Sequence, residues 1–260
     1  MSGGTTPGYL RLRQICLVAR DAQRAEQLLT EVLGLAVAFR DERTAPYGLE
    51  NMIFPLGTSF LEVVVPTREG TAAGRFLDRY KERRGYMLIC DCSDLDAARQ
   101  RIERLGIRIL HSRKWPRYEN LQLHPGDTGG TMIEIHHNIG GDALDGHYEP
   151  AGDDWRSHRR DEVAVALLGA ELTAPDPEAL ANRWSALFGV PHASPESGFE
   201  MMLGDGKLRF LPGSGGEQLH ALTISVRNVD AVLSAAVRLG CPIDRNSVEL
   251  CGMWFRLHAA

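Results

Sequence analysis

The sequence predicts an α+β fold of four βαβββ units paired into two modules. Each module is expected to be a mixed, curved sheet around a cleft, with its helices outside. Three observations predict it. A strand-like run, an acidic residue, a helix with one apolar face and a glycine recur in that order four times. The copies keep matched spacing. A stretch rich in Gly, Asp, Pro and charge separates the second copy from the third. Each helix offers one apolar face and each strand set needs a cover, and a curved sheet backed by helices satisfies both.

The elements follow in order. Residues 14–21 read as a strand ending at Asp21, a natural helix N-cap. Ala25, Leu28, Leu29, Val32 and Leu33 then share one helical face, and Gly34 stands where a C-cap glycine belongs. Residues 51–57 and 59–65 read as two strands across a glycine turn. The opening recurs at 87–106, where Leu88, Ile89 and Cys90 lead to Asp94, then Ala97, Ala98, Ile102 and Leu105, then Gly106. It recurs at 165–189, through Asp176, Leu180, Trp184 and Leu187 to Gly189. The fourth copy, 220–240, runs through Val229, Asp230, Val232, Ala235, Val237 and Leu239 to Gly240. The interval from Asp21 to Gly34 equals that from Asp176 to Gly189, and Asp96 to Gly106 equals Asp230 to Gly240. Such self-similarity marks a repeat architecture. The expected boundaries are 9–140 for the first module, 141–161 for the linker and 162–260 for the second module. The last strand of the second module is expected to be missing, because the chain stops at Ala260. An open sheet edge there would favour a homodimer.

Bulk properties narrow the function classes. The chain has 260 residues, 43% hydrophobic and 24% charged, an ordinary globular composition long enough for two cores. A net charge of −5 gives no electrostatic case for nucleic acid or an anionic membrane. The basic cluster of Lys81, Arg83 and Arg84 is broken by Glu82 and reads as a solvated face. Five cysteines is an odd count, and Cys90 and Cys92 sit in an apolar run, so buried free thiols are expected. Residues 1–8 lack a secretory pattern, and no apolar run reaches membrane-spanning length, so a cytoplasmic protein is expected. There is no G-x-G-x-x-G after a strand, no P-loop, no H-E-x-x-H and no G-x-S-x-G, so no nucleotide cofactor is expected.

One stretch is distinctive. Residues 124–135, from His124 through Pro125, Gly126, Asp127, Thr128, Gly129 and Gly130 to Glu134 and Ile135, are similar to a segment of methylmalonyl-CoA epimerases. Gln14, seven residues before Asp21, stands much as a metal-binding Gln does in the first strand of some glyoxalase I enzymes. With the four units, the chain resembles the vicinal-oxygen-chelate superfamily. That group includes glyoxalases, methylmalonyl-CoA epimerases, extradiol dioxygenases and the fosfomycin and bleomycin resistance proteins. The resemblance covers nearly the whole chain and implies a fold more firmly than an activity.

The resemblance implies a metal held by the first and last strand of each unit, and the repeat locates those positions. The interval from Asp21 to Asp94 carries Gln14 to Met87, and one a residue shorter carries Glu62 to Glu134. Strand parity puts Gln14 with Leu12, Cys16 and Val18, Glu62 with Phe60 and Val64, and Glu134 with Met132 and His136. Two carboxylates and an amide oxygen suit Mg²⁺, Mn²⁺, Ni²⁺ or Zn²⁺. The family pattern has His where Met87 stands, and His136 could compensate as a ligand. Glu134 and Glu62 are the candidate catalytic carboxylates. Met87, His124, Arg117 and Trp115 are candidate substrate contacts, with Arg117 able to clamp a carboxylate.

In the second module Gln14 maps to Gly169, Glu62 to Arg209 and Met87 to Ala221, while Glu134 maps beyond the chain end. That module cannot chelate a cation in the family manner. The expected function is a metal-assisted lyase or isomerase acting on a small oxygenated carbonyl or acid compound through the first module. A metal-free ligand-binding protein of the sequestering type is the alternative. An extradiol dioxygenase ranks last, since its His-His-carboxylate iron triad is absent from the second module.

Overall fold

The computed structural model describes residues 8–81, 85–196 and 198–260. The last three residues of the basic cluster at 81–84 lie outside the described residues. The first module runs β1 (Leu10–Val18), α1 (Ala22–Leu33), a 3-10 helix (Glu42–Tyr47), β2 (Leu49–Leu56), β3 (Ser59–Pro66), α2 (Ala72–Tyr80), β4 (Met87–Cys92), α3 (Leu95–Arg104), β5 (Ile109–Trp115), β6 (Tyr118–Leu123), α4 (Pro125–Thr128) and β7 (Met132–Asn138). Two 3-10 helices follow, Glu149–Ala151 and Trp155–His158. The second module runs β8 (Ala164–Ala174), α5 (Pro177–Phe188), β9 (His192–Ala193), β10 (Phe199–Leu203), β11 (Gly206–Pro212), β12 (Gln218–Val226), α6 (Val229–Arg238), β13 (Ser247–Leu250) and β14 (Met253–Ala259).

The four repeated helices start as their sequences require. The side chains of Asp21, Asp94, Asp176 and Asn228 each accept a backbone N–H from the first turn. In the fourth unit the cap is Asn228, not Asp230. Gly34 and Gly189 end α1 and α5 in the left-handed conformation that only glycine adopts without strain. Helix α2 has no counterpart in the expected plan.

Each module forms one seven-stranded mixed sheet, ordered β2-β3-β1-β4-β7-β6-β5 and β13-β14-β12-β8-β11-β10-β9. At both centres an antiparallel pair, β1 with β4 and β12 with β8, is flanked by parallel partners. That is the pseudo-twofold pairing of two units. The helix-side faces of both sheets share one continuous apolar core, with Ile15, Leu29, Leu33, Leu172, Trp184 and Phe210 fully buried. Across the modules α1 packs on α6 and α3 on α5. Trp184 is also tied by its indole N–H to the Thr128 carbonyl, 2.8 Å away.

Two expectations need correction. The last strand of the second module is present. Strand β14 runs parallel to β12, with Thr223 opposite Arg256, in the place β7 holds beside β4. The fourth unit follows its helix with two strands and an isolated bridge at Ile243, so it reaches that place in fewer residues than the second unit does. The β12 edge is therefore covered, and the stated reason for a homodimer falls. The second correction concerns parity. A bulge between Leu12 and Gln14 puts Leu12 on the helix side with Ile15 and Leu17, whereas Gln14 shares the concave side with Cys16 and Val18. The extra residue of the bulge is Arg13.

The stretch between the modules is a packed element, not a loose linker. Tyr148 and Trp155 are buried on the concave face of the first sheet, with Phe60 and Ile53. Tyr148 stacks on Phe60 at 4.3 Å between ring centroids, and Trp155 meets the same ring edge-on at 5.0 Å. Residues 141–158 thus form a strap over one end of the first cup. Helix α2 covers the other end, where Leu77 and Phe76 lie against Cys16, Val18, Val64, Tyr86 and Met87.

Candidate active site

Between strap and α2 the concave face is polar. Strands β1 and β3 run parallel, with Glu62 opposite Cys16. On the far side of the pseudo-axis β4 pairs with β7, with Ile89 opposite Glu134. The parity of these strands brings Gln14, Glu62 and Glu134 to one face, as the repeat implies.

Each carboxylate is held by side-chain donors. Glu62 accepts from the amides of Asn51 (2.7 Å) and Gln14 (2.8 Å). Glu134, 5% exposed, accepts from the hydroxyl of Tyr118 (2.6 Å), the amide of Gln122 (2.8 Å) and Nδ1 of His136 (3.2 Å). The Gln14 carbonyl accepts from the hydroxyl of Tyr148 on the strap, 2.9 Å away. The buried Cys16 thiol lies between the two glutamates, and burial followed by the charge of Glu62 pushes it well up.

The two carboxyls are driven apart in acidity. Burial pushes Glu62 up, more than its hydrogen bonds from Asn51, Cys16 and Gln14 pull it down, and the charge on Glu134 adds to the rise. Burial pushes Glu134 up as well, but the hydrogen bond and electrostatic pull of His136, then Tyr118 and Gln122, leave it below the usual carboxylate value. The pair is thus pushed in opposite directions, Glu62 toward keeping its proton and Glu134 toward giving it up.

The other expected residues are scattered. Met87 is on the concave face, opposite Cys16, but packed in the apolar cluster under α2. His136 is fully buried. Its Nδ1 serves Glu134, and its Nε2 points toward Asp91 at 3.8 Å without a hydrogen bond. Trp115 lies at the mouth and stacks on Tyr118 at 5.4 Å, under the guanidinium of Arg43 at 4.3 Å. His124 instead caps α4, accepting from Gly126 N–H and meeting Arg108. Arg117 is exposed on the β5–β6 turn and pairs with Asp153 at 3.6 Å. Neither is with the carboxylates.

Reading the sequence missed Asn51, Tyr118, Gln122, Tyr148 and Arg13. Parity could have found Tyr118 and Gln122, which alternate on β6 opposite β7, with Gln122 facing Glu134. Nothing local marks Tyr148.

A divalent cation does not fit this arrangement. Both oxygens of each glutamate and the Gln14 carbonyl already accept hydrogen bonds from side chains. The fourth position is a thioether, a poor ligand for these ions, and His136 is turned to Glu134 and Asp91. Among the described residues no group of three or more His, Cys, Asp and Glu is placed to hold a metal.

The second module inverts the charges. Arg209 stands opposite Glu171 as Glu62 stands opposite Cys16, and Arg256 stands where Glu134 does. Both guanidiniums bind Glu171, Arg209 at 3.0 Å and Arg256 at 3.2 Å.

A family model, the glyoxalase-like domain, matches residues 15–188. The chain belongs to this family. No curated protein matches it. Among solved structures, a hypothetical protein from Staphylococcus aureus superposes with TM-score 0.69 at 10% identity, covering 96% of this chain and 99% of that one. That likeness shows the tandem-module fold. A methylmalonyl-CoA epimerase from Streptomyces coelicolor, in complex with 2-nitronate-propionyl-CoA, is 22% identical with TM-score 0.44, covering 49% of this chain and 96% of that one. The epimerase from Mycobacterium tuberculosis is 23% identical with TM-score 0.43, covering 50% and 88%. The family match makes the chain a member of the vicinal-oxygen-chelate superfamily, and its two sheets make two modules. Among its described residues no helix is long and apolar enough to cross a membrane.

Proposed function

We propose that the first module moves protons on a small oxygenated carbonyl or acid compound, as an isomerase or lyase that works through two carboxyls rather than a chelated cation. The observation that carries this reading is the pair Glu62 and Glu134, on one face, Glu134 buried and Glu62 partly so, and pushed in opposite directions in acidity. Glu134, ionised, takes the proton α to a carbonyl, leaving an enolate and a protonated Glu134. Glu62, the carboxyl whose burial favours its protonated form, gives its proton to the enolate. Tyr118 and Gln122 hold Glu134 in place, and Asn51 and Gln14 hold Glu62. The test is deuterium uptake at the α-carbon, followed by proton NMR in D2O, across hydroxy acids, oxo acids, malonyl-type acids and thioesters. Uptake lost in both Glu62→Gln and Glu134→Gln supports the reading. Uptake that survives both refutes it.

A second reading, sequestration of a small molecule without turnover, is favoured by the strap, whose Tyr148 and Trp155 fill one end of the cup. It expects ligand-dependent thermal stabilisation in wild type and in Glu62→Gln alike, with no exchange in either.

A further inference from the structure

The bulge in β1 places a charged side chain where a sheet face seldom carries one. Arg13 is 1% exposed. Its guanidinium lies over the rings of Phe60 (5.3 Å) and Tyr148 (5.1 Å), beside Gln14. Among the described residues only Nη2 has a hydrogen-bond partner, the neutral carbonyl of Leu144 on the strap, 2.7 Å away. Nε and Nη1 are buried with no hydrogen-bond partner among the described residues. The neighbouring Arg11 is different: it is paired with Asp91 at 2.8 Å and bonded to the strap carbonyls of Gly141 and Asp142. A buried guanidinium without an anion is costly, and the cost is reflected in Arg13, whose pKa burial lowers to about 10. Ring faces and one carbonyl are poor substitutes for a carboxylate.

We infer that Arg13 is the carboxylate anchor of the first module, and that the strap occupies the ligand's place until an acid displaces it. The inference rests on the first module being a ligand site, not on the chemistry done there. Three features agree. The donors are already aimed at the concave face. The strap covers them through Tyr148, which also occupies the Gln14 carbonyl. Release of Leu144 would free the Nη1/Nη2 fork, the geometry that grips a carboxylate through two parallel hydrogen bonds. The ligand class is therefore a small organic acid, its carboxylate on Arg13 and its reacting carbon toward Glu62 and Glu134. Gly140 and Gly152, both at positive φ, bracket the stretch that carries Leu144 and Tyr148.

The probe is malonate, with uncharged malonamide as its control, measured by calorimetry on the full chain and by tryptophan emission. Malonate should saturate the protein and change the emission, while malonamide at equal concentration should not. Arg13→Met removes an uncompensated charge, so it should fold, checked by circular dichroism, and should weaken malonate binding at least tenfold. Tyr148→Ala keeps Arg13 but removes the strap's occupant, so it should tighten binding. Equal binding of malonate and malonamide overturns the inference, as does unchanged malonate affinity in Arg13→Met. If Arg13→Met fails to fold, unchanged affinity in Tyr148→Ala overturns it instead. Malonate binding through Arg13 without α-deuterium uptake in any acid leaves the anchor standing and removes the acid–base reading. Uptake in neutral carbonyl compounds with no preference for acids does the reverse.

Discussion

Tyr118→Phe isolates one hydrogen bond in the site. The ring stays, with its stack on Trp115 and its tilted contact with His136. Only the hydroxyl, 2.6 Å from Glu134 Oε1, is lost. Hydrogen bonds to charged groups contribute about 1.5–3 kcal/mol, and this one is buried, so a loss of about 2 kcal/mol at pH 7 is expected. The sign of its pH dependence is fixed. Glu134 has a folded pKa below its unfolded value, so it contributes stability that is present above the unfolded pKa and lost as pH falls through the folded pKa. The hydroxyl favours the ionised form. Its removal therefore lowers stability most at neutral pH, and the difference between variant and wild type narrows on acidification. Urea unfolding from pH 7 down to the acid limit of the native state measures both quantities. A difference that is independent of pH, or below about 0.5 kcal/mol at pH 7, would refute the assignment of an ionised Glu134 held by this hydroxyl.

Glu62→Gln should behave oppositely. Burial raises the folded pKa of Glu62, so native stability falls as pH rises from the unfolded pKa toward the folded one, and the variant should lack that decline in urea titrations. Phe60→Ala should cost about 3–5 kcal/mol and free the strap, since Tyr148 and Trp155 both pack on that ring; trypsin should then cut sooner at Arg156, Arg159 or Arg160. Glu171→Gln should destabilise by about 1–2 kcal/mol, discounted because Arg209 and Arg256 are each about a third exposed. That deficit should shrink in molar salt, which screens the two arginines left facing each other. Leu29→Ala, at a fully buried position of the shared core, should cost about 2–5 kcal/mol by thermal or urea unfolding.

What the sequence made legible follows from which signals are local. The four helices were readable because cap, apolar stripe and terminating glycine lie within one stretch of chain, as in Asp21, Leu29 and Gly34. The positions of Glu62 and Glu134 were readable because a repeat transfers register without needing contacts. Single insertions and deletions defeated the same arithmetic. The bulge at Arg13 moved Leu12 to the other face, and the shorter fourth unit hid Arg256 as the counterpart of Glu134. The strap was unreadable for a different reason. Tyr148 and Trp155 are buried only because Phe60, far away in sequence, offers them a ring.

The inverted second cup also limits how this duplicated chain can change. Restoring a pair of carboxylates there means replacing Arg209, Arg256 and Glu171. Replacing Glu171 first leaves two guanidiniums facing each other. Replacing either arginine by glutamate first sets a carboxylate against Glu171. Each of these charge-reversing steps brings like charges together, a penalty that a neutral side chain at Arg209 or Arg256 would avoid. The two halves therefore offer opposite charge to whatever enters them, and a new ligand for the second cup would have to be selected around its arginines.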